Sequence, residues 1–451
     1  MIAGLKPYPA MKDSCVPWLG KVPGHWEVRR LKHMCAMRSG DAITAESINP
    51  AGDHPVYGGN GRRGYASSFT HDGEFPLVGR QGALCGNVHL ARGKFWASEH
   101  AVVASPARGV VPSFLAWALG CMDLGRYSIA AAQPGLAVER ILALPSPLPP
   151  LHEQAAIVRF LDHADRRIRR YIRAKQKLIK LLEEQKQAII HRAVSRGLDP
   201  NVRLKPSGVE WLGEVPQHWV VRPAKWFYRE VDERSLSGHE ELLSVSHLTG
   251  VTPRSQKNIT MFMAETYVGH KLCRPGDLVI NTMWAWMAAL GVARQTGLVS
   301  PSYGVYRPRQ GSPLLAAYAD LLFRTGPYVS EYVCRSTGIR SSRLRLYPEQ
   351  FLRILVVCPP VAEQLAILAN VDSDTAETTN GAAAAIREIE LLREYRTRLI
   401  ADIVTGKLDV REPAARLPDE VEEPGALDEI ESEVDTDEAG SDGADELSQV
   451  A

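Results

Sequence analysis

The chain has 451 residues, of which 45% are hydrophobic and 23% charged, the composition of a soluble globular protein with two to four domains. The longest uncharged run, residues 278–293, holds Asn281, Thr282 and Gly291 and is too short and polar to span a bilayer. Near the start, Pro7, Pro9, Lys12 and Asp13 interrupt any secretory leader. Seven cysteines without a Cys-x-x-Cys pair exclude a disulfide framework and a zinc ribbon, and fit a reducing cytoplasm. The net charge of +1 conceals an asymmetry: residues 1–410 carry a net +14, and residues from Arg411 onward a net −13. A positive body permits a polyanionic partner.

The first element in chain order is a motif that occurs twice. Residues 12–34 align without a gap on residues 205–227, with thirteen of 23 positions identical, including Trp18/Trp211, Pro23/Pro216, His25/His218 and Trp26/Trp219. An insert follows, residues 35–148, with predicted strands at 75–79, 95–98 and 100–104 and a predicted helix over 112–124. Next comes Pro149-Pro150-Leu151-His152-Glu153-Gln154, then a run to about Arg196 with no Pro or Gly. Ile157, Leu161, Ala164, Ile168, Tyr171, Leu178, Leu182 and Ile189 recur at three-four spacing in it. That spacing predicts an amphipathic helix of roughly 40 residues, about 60 Å long.

After the second copy of the opening motif stands a second insert, residues 228–358. It has predicted strands at 278–281, 290–293 and 303–306 and a predicted helix over 314–334. Pro359-Pro360-Val361-Ala362-Glu363-Gln364 repeats the earlier hexapeptide at an offset of 210, and a second predicted helix runs through Ile386, Ile389, Leu392, Leu399 and Ile403 after a less regular start at Gly381. One register kept over 50 residues marks a tandem duplication. The frame is preserved and the inserts have diverged. Residues 152–196 carry a net +7 and residues 362–406 a net −4, which favours pairing the two different helices antiparallel. The acidic end, residues 411–451, is predicted to be disordered.

Two variable domains, each followed by a Pro-Pro-Leu-x-Glu-Gln-type entry into a long helix, resemble the specificity subunit of type I restriction–modification systems. Gly213-Glu214-Val215-Pro216-Gln217-His218-Trp219 and Gln133-Pro134-Gly135-Leu136 add to the likeness, which spans about residues 12–410. The resemblance implies an α+β chain. Target-recognition domains occupy residues 1–150 and 205–358, and residues 151–204 and 359–410 form an antiparallel coiled-coil spacer with pseudo-twofold symmetry. It also implies a non-catalytic, cytoplasmic protein that reads a bipartite asymmetric site in double-stranded DNA. The implied partners are methyltransferase subunits, two of them expected, and restriction subunits. No cofactor is expected in this chain, with S-adenosylmethionine, ATP and Mg supplied by the partners. The acidic tail is not explained by the resemblance.

The residues agree on the absence of chemistry. No P-loop occurs, the Pro-Pro pairs lack the Asn, Asp or Ser and the aromatic that frame a flipped base, and no His-Glu-x-x-His is present. Cysteines such as Cys85 and Cys273 read as small buried residues. A self-sufficient DNA-modifying enzyme, or an interaction scaffold without a DNA role, stands as the alternative reading. Base reading needs Arg, Lys, Asn or Gln on a rigid element. The first insert offers Asn60, Arg62, Arg63 and Tyr65 in a Gly-rich loop and Arg80 and Gln81 between two glycines, with Lys94 and His100 beyond. The second offers Arg254, Lys257 and Asn258 in one loop, Asn281 at a strand end, and Arg340, Arg343 and Arg345 in an Arg- and Ser-rich stretch. The matched Trp and His residues of the frame are expected to pack each domain onto the helices.

Overall fold

The structure, a computed structural model, describes residues 5–82, 84–128, 135–257, 266–338 and 344–418. They fall into two compact units. The first runs to Lys175 and resumes at Arg387; the second is Gln176–Ile386. Each unit therefore takes half of each long helix, Leu151–Arg196 and Val361–Val404.

In the first unit a six-stranded sheet has the order Cys35–Ser39, Ala101–Pro106, His71–Gly79, Val88–Ala97, His54–Gly58, Gly61–Ala66. All neighbours are antiparallel except His54–Gly58 beside Val88–Ala97. Alternation along the central strands buries both faces. Val102, Ala104 and Val78 point into a core shared with Phe114, Leu115 and Leu119 of the helix Pro112–Gly120. Val103 and Leu77 point the other way, onto Phe95, Ala91 and Tyr57. The second unit repeats the scheme with a shorter sheet, ordered Tyr228–Glu230, Gly304–Pro308, Leu278–Ile280, Leu290–Val292. Leu278, Ile280 and Tyr306 enter one core and Val279 and Val305 the other, as a period of two requires.

The helix expected over 314–334 is two helices, Ala316–Phe323 and Gly326–Arg335. Pro327 lies in the first turn of the second and lacks the N–H a continuous helix would need there. The second long helix, by contrast, passes through Gly381 unbroken, where a Cβ would make ordinary contact with Leu182 Cδ1 at 3.4 Å. Within each unit the long helices run antiparallel. Arg396 meets Asp165 at 2.5 Å and Lys175 meets Glu388 at 2.6 Å in the first. The apolar seam uses Ile157, Leu161, Ala164 and Ile168 as expected, then Ile172, leaving Tyr171 exposed. Ile386 is likewise exposed. The Lys175–Glu388 pair lies near the surface and contributes about 0–1 kcal/mol, whereas Asp165 is buried between Arg169 and Arg396; the seam holds the helices together.

The duplicated motifs meet at the start of each long helix. Gln154 accepts from the backbone N–H of Val111 (2.8 Å) and donates to the carbonyls of Gly109 (3.0 Å) and Pro149 (2.8 Å). Gln364 does the same with Leu315 (2.8 Å), Pro313 (2.9 Å) and Pro359 (2.8 Å). Both glutamines are fully buried. Glu153 accepts from Trp26 Nε1 (2.8 Å) and Tyr8 Oη (3.0 Å) and faces His25 Nε2 at 2.6 Å, while Glu363 faces His218 Nε2 at 2.7 Å. Lys12 and Lys205 each donate to the carbonyl of the matched tryptophan. Trp26 and Trp219 are buried, as the sequence pattern anticipates. Burial works against the charge on Glu153, but the hydrogen bonds from Trp26, His25 and Tyr8 outweigh it and hold the carboxyl below its ordinary range.

Two outcomes follow from these bonds. Gln154→Leu leaves the Val111 N–H and the Gly109 and Pro149 carbonyls without their partner, of which Pro149 alone is buried, and it lowers unfolding free energy by about 1–3 kcal/mol in urea denaturation. Because the folded-state pKa of Glu153 is depressed, its contribution is complete above the unfolded carboxyl value of about 4.3 and is lost as pH falls through the lower folded value. Glu153→Gln therefore flattens the acid limb of a stability–pH profile, and an unchanged limb counts against the account.

Candidate nucleic-acid interface

At one end of the first sheet, three turns converge. They are the hairpin turn Gly59-Asn60, the segment Arg80–Gly82 that follows the strand His71–Gly79, and the connection Ser98–His100. Arg80 N donates to the His100 carbonyl (2.8 Å) and Leu136 N to the Arg80 carbonyl (3.0 Å). Gly59 and Gly79 pack backbone to backbone: a Cβ on Gly59 would lie 3.3 Å from the carbonyl oxygens of Gln81 and His100. The result is an open depression of about 390 Å³ lined by Gly59, Asn60, Arg63, Gln81, Gly82, Leu84 and His100. Asn60, Arg63 and Gln81 are exposed on it. Asn60 accepts from Asn87 Nδ2 (3.2 Å), and His100 lies 3.2 Å from Glu99.

The structure thus brings together Asn60, Arg63 and Gln81, and separates others from them. Arg62 donates to Tyr65 Oη (3.0 Å) and covers its ring, so these two engage each other. Arg80 reaches back to Ser39 Oγ (3.1 Å). Lys94 lies over the Phe69 ring.

The second unit has a cluster of the same plan. Leu346 N donates to the Thr282 carbonyl (2.9 Å), as Leu136 N does to Arg80, and Thr282 Oγ1 donates to the Ser302 carbonyl (2.9 Å) where Arg80 N meets His100. The bridge between Leu242 and Leu298 is parallel, matching Val56 beside Trp96. Around this point stand the stacked Trp284 and Trp286, Arg345 with Nη2 3.4 Å from the Ser302 carbonyl, and the tip 247–249 of the hairpin Leu243–Ser246/Gly250–Pro253. Arg324 Nη2 clamps that tip through the carbonyls of His247 (2.7 Å) and Leu248 (2.9 Å), and Leu248 is 70% exposed.

Asn281 is only 4% exposed; its amide donates to Tyr303 Oη (3.1 Å) and accepts from Met283 N (3.2 Å), so it shapes the loop from inside. Arg254 and Lys257 sit at the open end of the hairpin, bound to Leu242 and Ser244, opposite the tip. Asn258, Arg340 and Arg343 lie outside the described residues. Leu84 and the tip His247-Leu248-Thr249 escaped the reading of the sequence, since neither carries an Arg or a Gly-rich signature. Ser98 and Val103 against Ser300 and Val305 are the faint trace of the shared plan.

Cys35, Cys273 and Cys358 are buried, and desolvation pushes the Cys273 thiol up to about 12 and the Cys35 thiol up to about 11, far from the thiolate a nucleophile needs.

Residues 23–181 match the family model described as the type I restriction modification DNA specificity domain. The chain is 41% identical over 141 residues to the type I restriction enzyme EcoprrI specificity subunit of Escherichia coli, a match covering 30% of this chain and 35%, about a third, of that protein. It also superimposes, with TM-score 0.59 and 16% identity over 86% of this chain and 99% of the other, on a solved structure titled as the basis of complex assembly and conformational transition of the type I R-M system. The class that residues 23–181 match is that of DNA specificity domains. The chain that carries them resembles the specificity subunit of type I restriction–modification systems in sequence, and its fold is one found in such a system. Among the described residues, no helix is long and apolar enough to cross a membrane.

The packing of Gly79 on Gly59 separates two effects of a methyl group. Gly79→Ala places a Cβ against the Gly59 carbonyl and 3.0 Å from the Leu84 carbonyl, so the hairpin must move; exchange of the Arg80 amide, which donates to the His100 carbonyl, accelerates. Gly82→Ala meets nothing within 4 Å and suffers only from its φ of +91°, costing about 1 kcal/mol with the Arg80 amide unchanged.

Proposed function

We propose that this chain is a non-catalytic specificity subunit that reads a bipartite, asymmetric DNA target, one half with each unit, and docks methyltransferase and restriction subunits. The carrying observation is that one loop cluster recurs in both units on the same backbone plan with different side chains: Asn60, Arg63 and Gln81 in one, Trp284, Trp286, Arg345 and the Leu248 tip in the other. Repeated scaffolding with divergent side chains is what two readers of different sequences need. Asn, Gln and Arg can make paired hydrogen bonds to base edges in a major groove, each worth about 1–3 kcal/mol of discrimination. The partners supply S-adenosylmethionine, ATP and Mg. The paired long helices act as the ruler between the half-sites, in the cytoplasm where the DNA lies.

The test is modification-sensitive sequencing of DNA from cells that co-express this chain with a cognate methyltransferase, against cells lacking the chain. A split methylated motif appears only with the chain. Asn60→Ala with Gln81→Ala relaxes one half of that motif and leaves the other intact; relaxation of both halves, or of neither, removes the first cluster from the reading. Inserting one heptad at matched places in both helices changes the gap and keeps both halves.

A further inference from the structure

The face of the first long helix that turns away from its seam carries a line of cations in the first unit. Arg159, Arg166, Arg170 and Arg173 recur at intervals of seven, four and three residues, with Arg167 beside them, so they lie on one side of the helix. Arg167, Arg170 and Arg173 are exposed, and among the described residues none of the three takes part in an ion pair. Of the acids in this stretch, Asp162 accepts from Trp117 Nε1 (3.0 Å) and interacts with Arg92 and Arg166, and Asp165 is held by Arg169 and Arg396.

The chain leaves the described structure at the beginning of this line. Arg159 Nη2 donates to the Leu417 carbonyl (2.6 Å), and description ends at residue 418. The next five residues, Asp419-Glu420-Val421-Glu422-Glu423, bring four carboxylates. Residues 419–451 as a whole hold fourteen acids and no Lys, Arg or His. The lengths agree. From Arg159 to Arg173 the helix rises about 21 Å, and the six residues from Leu417 to Glu423, extended, reach about 20 Å.

We propose that the acidic segment beginning at Asp419 docks along this arginine face of its own chain, as a tethered polyanion that an external one must displace. Tethering makes the encounter intramolecular, at an effective concentration of order millimolar. The arginines are exposed, so the contact weakens with salt. The proposal concerns charge on one helix face and stands apart from which DNA sequence the units read.

The test uses the full chain and two readouts, neither involving DNA. Endoproteinase Glu-C cleavage after Glu420 and Glu422 is slow at low salt and accelerates several-fold in the Arg167→Glu/Arg170→Glu/Arg173→Glu variant, or in wild type at high salt. Equal rates in wild type and variant at low salt overturn the proposal. The second variant leaves the helix untouched: Asp419→Asn, Glu420→Gln, Glu422→Gln and Glu423→Gln together raise phenylglyoxal labelling of Arg170 and Arg173, read by mass spectrometry, several-fold. Unchanged labelling likewise overturns it, and shows the face open to another anion.

Discussion

Everything in this molecule depends on a buried glutamine at the first turn of each long helix. Gln154 and Gln364 each bind three main-chain groups contributed by two other segments of their unit. A side-chain amide has one acceptor oxygen and two N–H donors, and here all are used by an amide that is itself fully buried. Leucine or methionine of similar volume cannot replace it. This explains why the hexapeptide is written twice while its surroundings drift: the backbone it holds is the same in both units, and backbone does not mutate.

The neighbouring glutamates show how far two copies can separate under that constraint. Glu153 is sealed at 1% side-chain exposure beneath Tyr8, His25, Trp26 and, 3.6 Å away, Arg411. Glu363 is a quarter exposed and, among the described residues, keeps only the histidine. Trp219 is buried as deeply as Trp26, yet among the described residues its indole N–H has no partner. The ring packing was kept and the polar network was not. An unpaired buried N–H costs about 1–3 kcal/mol, so the second unit tolerates a penalty that the first avoids.

Much of the frame was legible in the sequence because repetition and a period of 3.6 are long-range signals that survive local noise. The long helices, their antiparallel pairing and the buried tryptophans are of this kind. The interface was less legible. Hydrogen-bonding residue type suggested Arg62 and Asn281, but Arg62 turns onto Tyr65 and Asn281 turns inward to Tyr303; composition cannot tell a side chain that projects from one that ties its own loop. The tip at Leu248 was invisible because its rigidity comes from Arg324, 76 residues away. The split of one expected helix at Thr325 follows from Pro327 in the first turn of the second helix.

The connectivity of the first unit has a consequence for synthesis. The core around Trp26 includes Leu399, Ile403, Val404 and Val410, and Gly406 lies so close to Pro23 and Trp26 that no Cβ fits there. In the second unit, Gly197 stands in the same relation to Trp219 and Glu363, and every segment falls within one continuous stretch of chain. Emerging from the ribosome, the second unit has all its parts once residue 386 is out. The first must wait, its apolar face uncovered, until the last helix arrives. The part translated first is the part completed last, and over that interval the nascent chain depends on whatever shields exposed apolar surface in the cell.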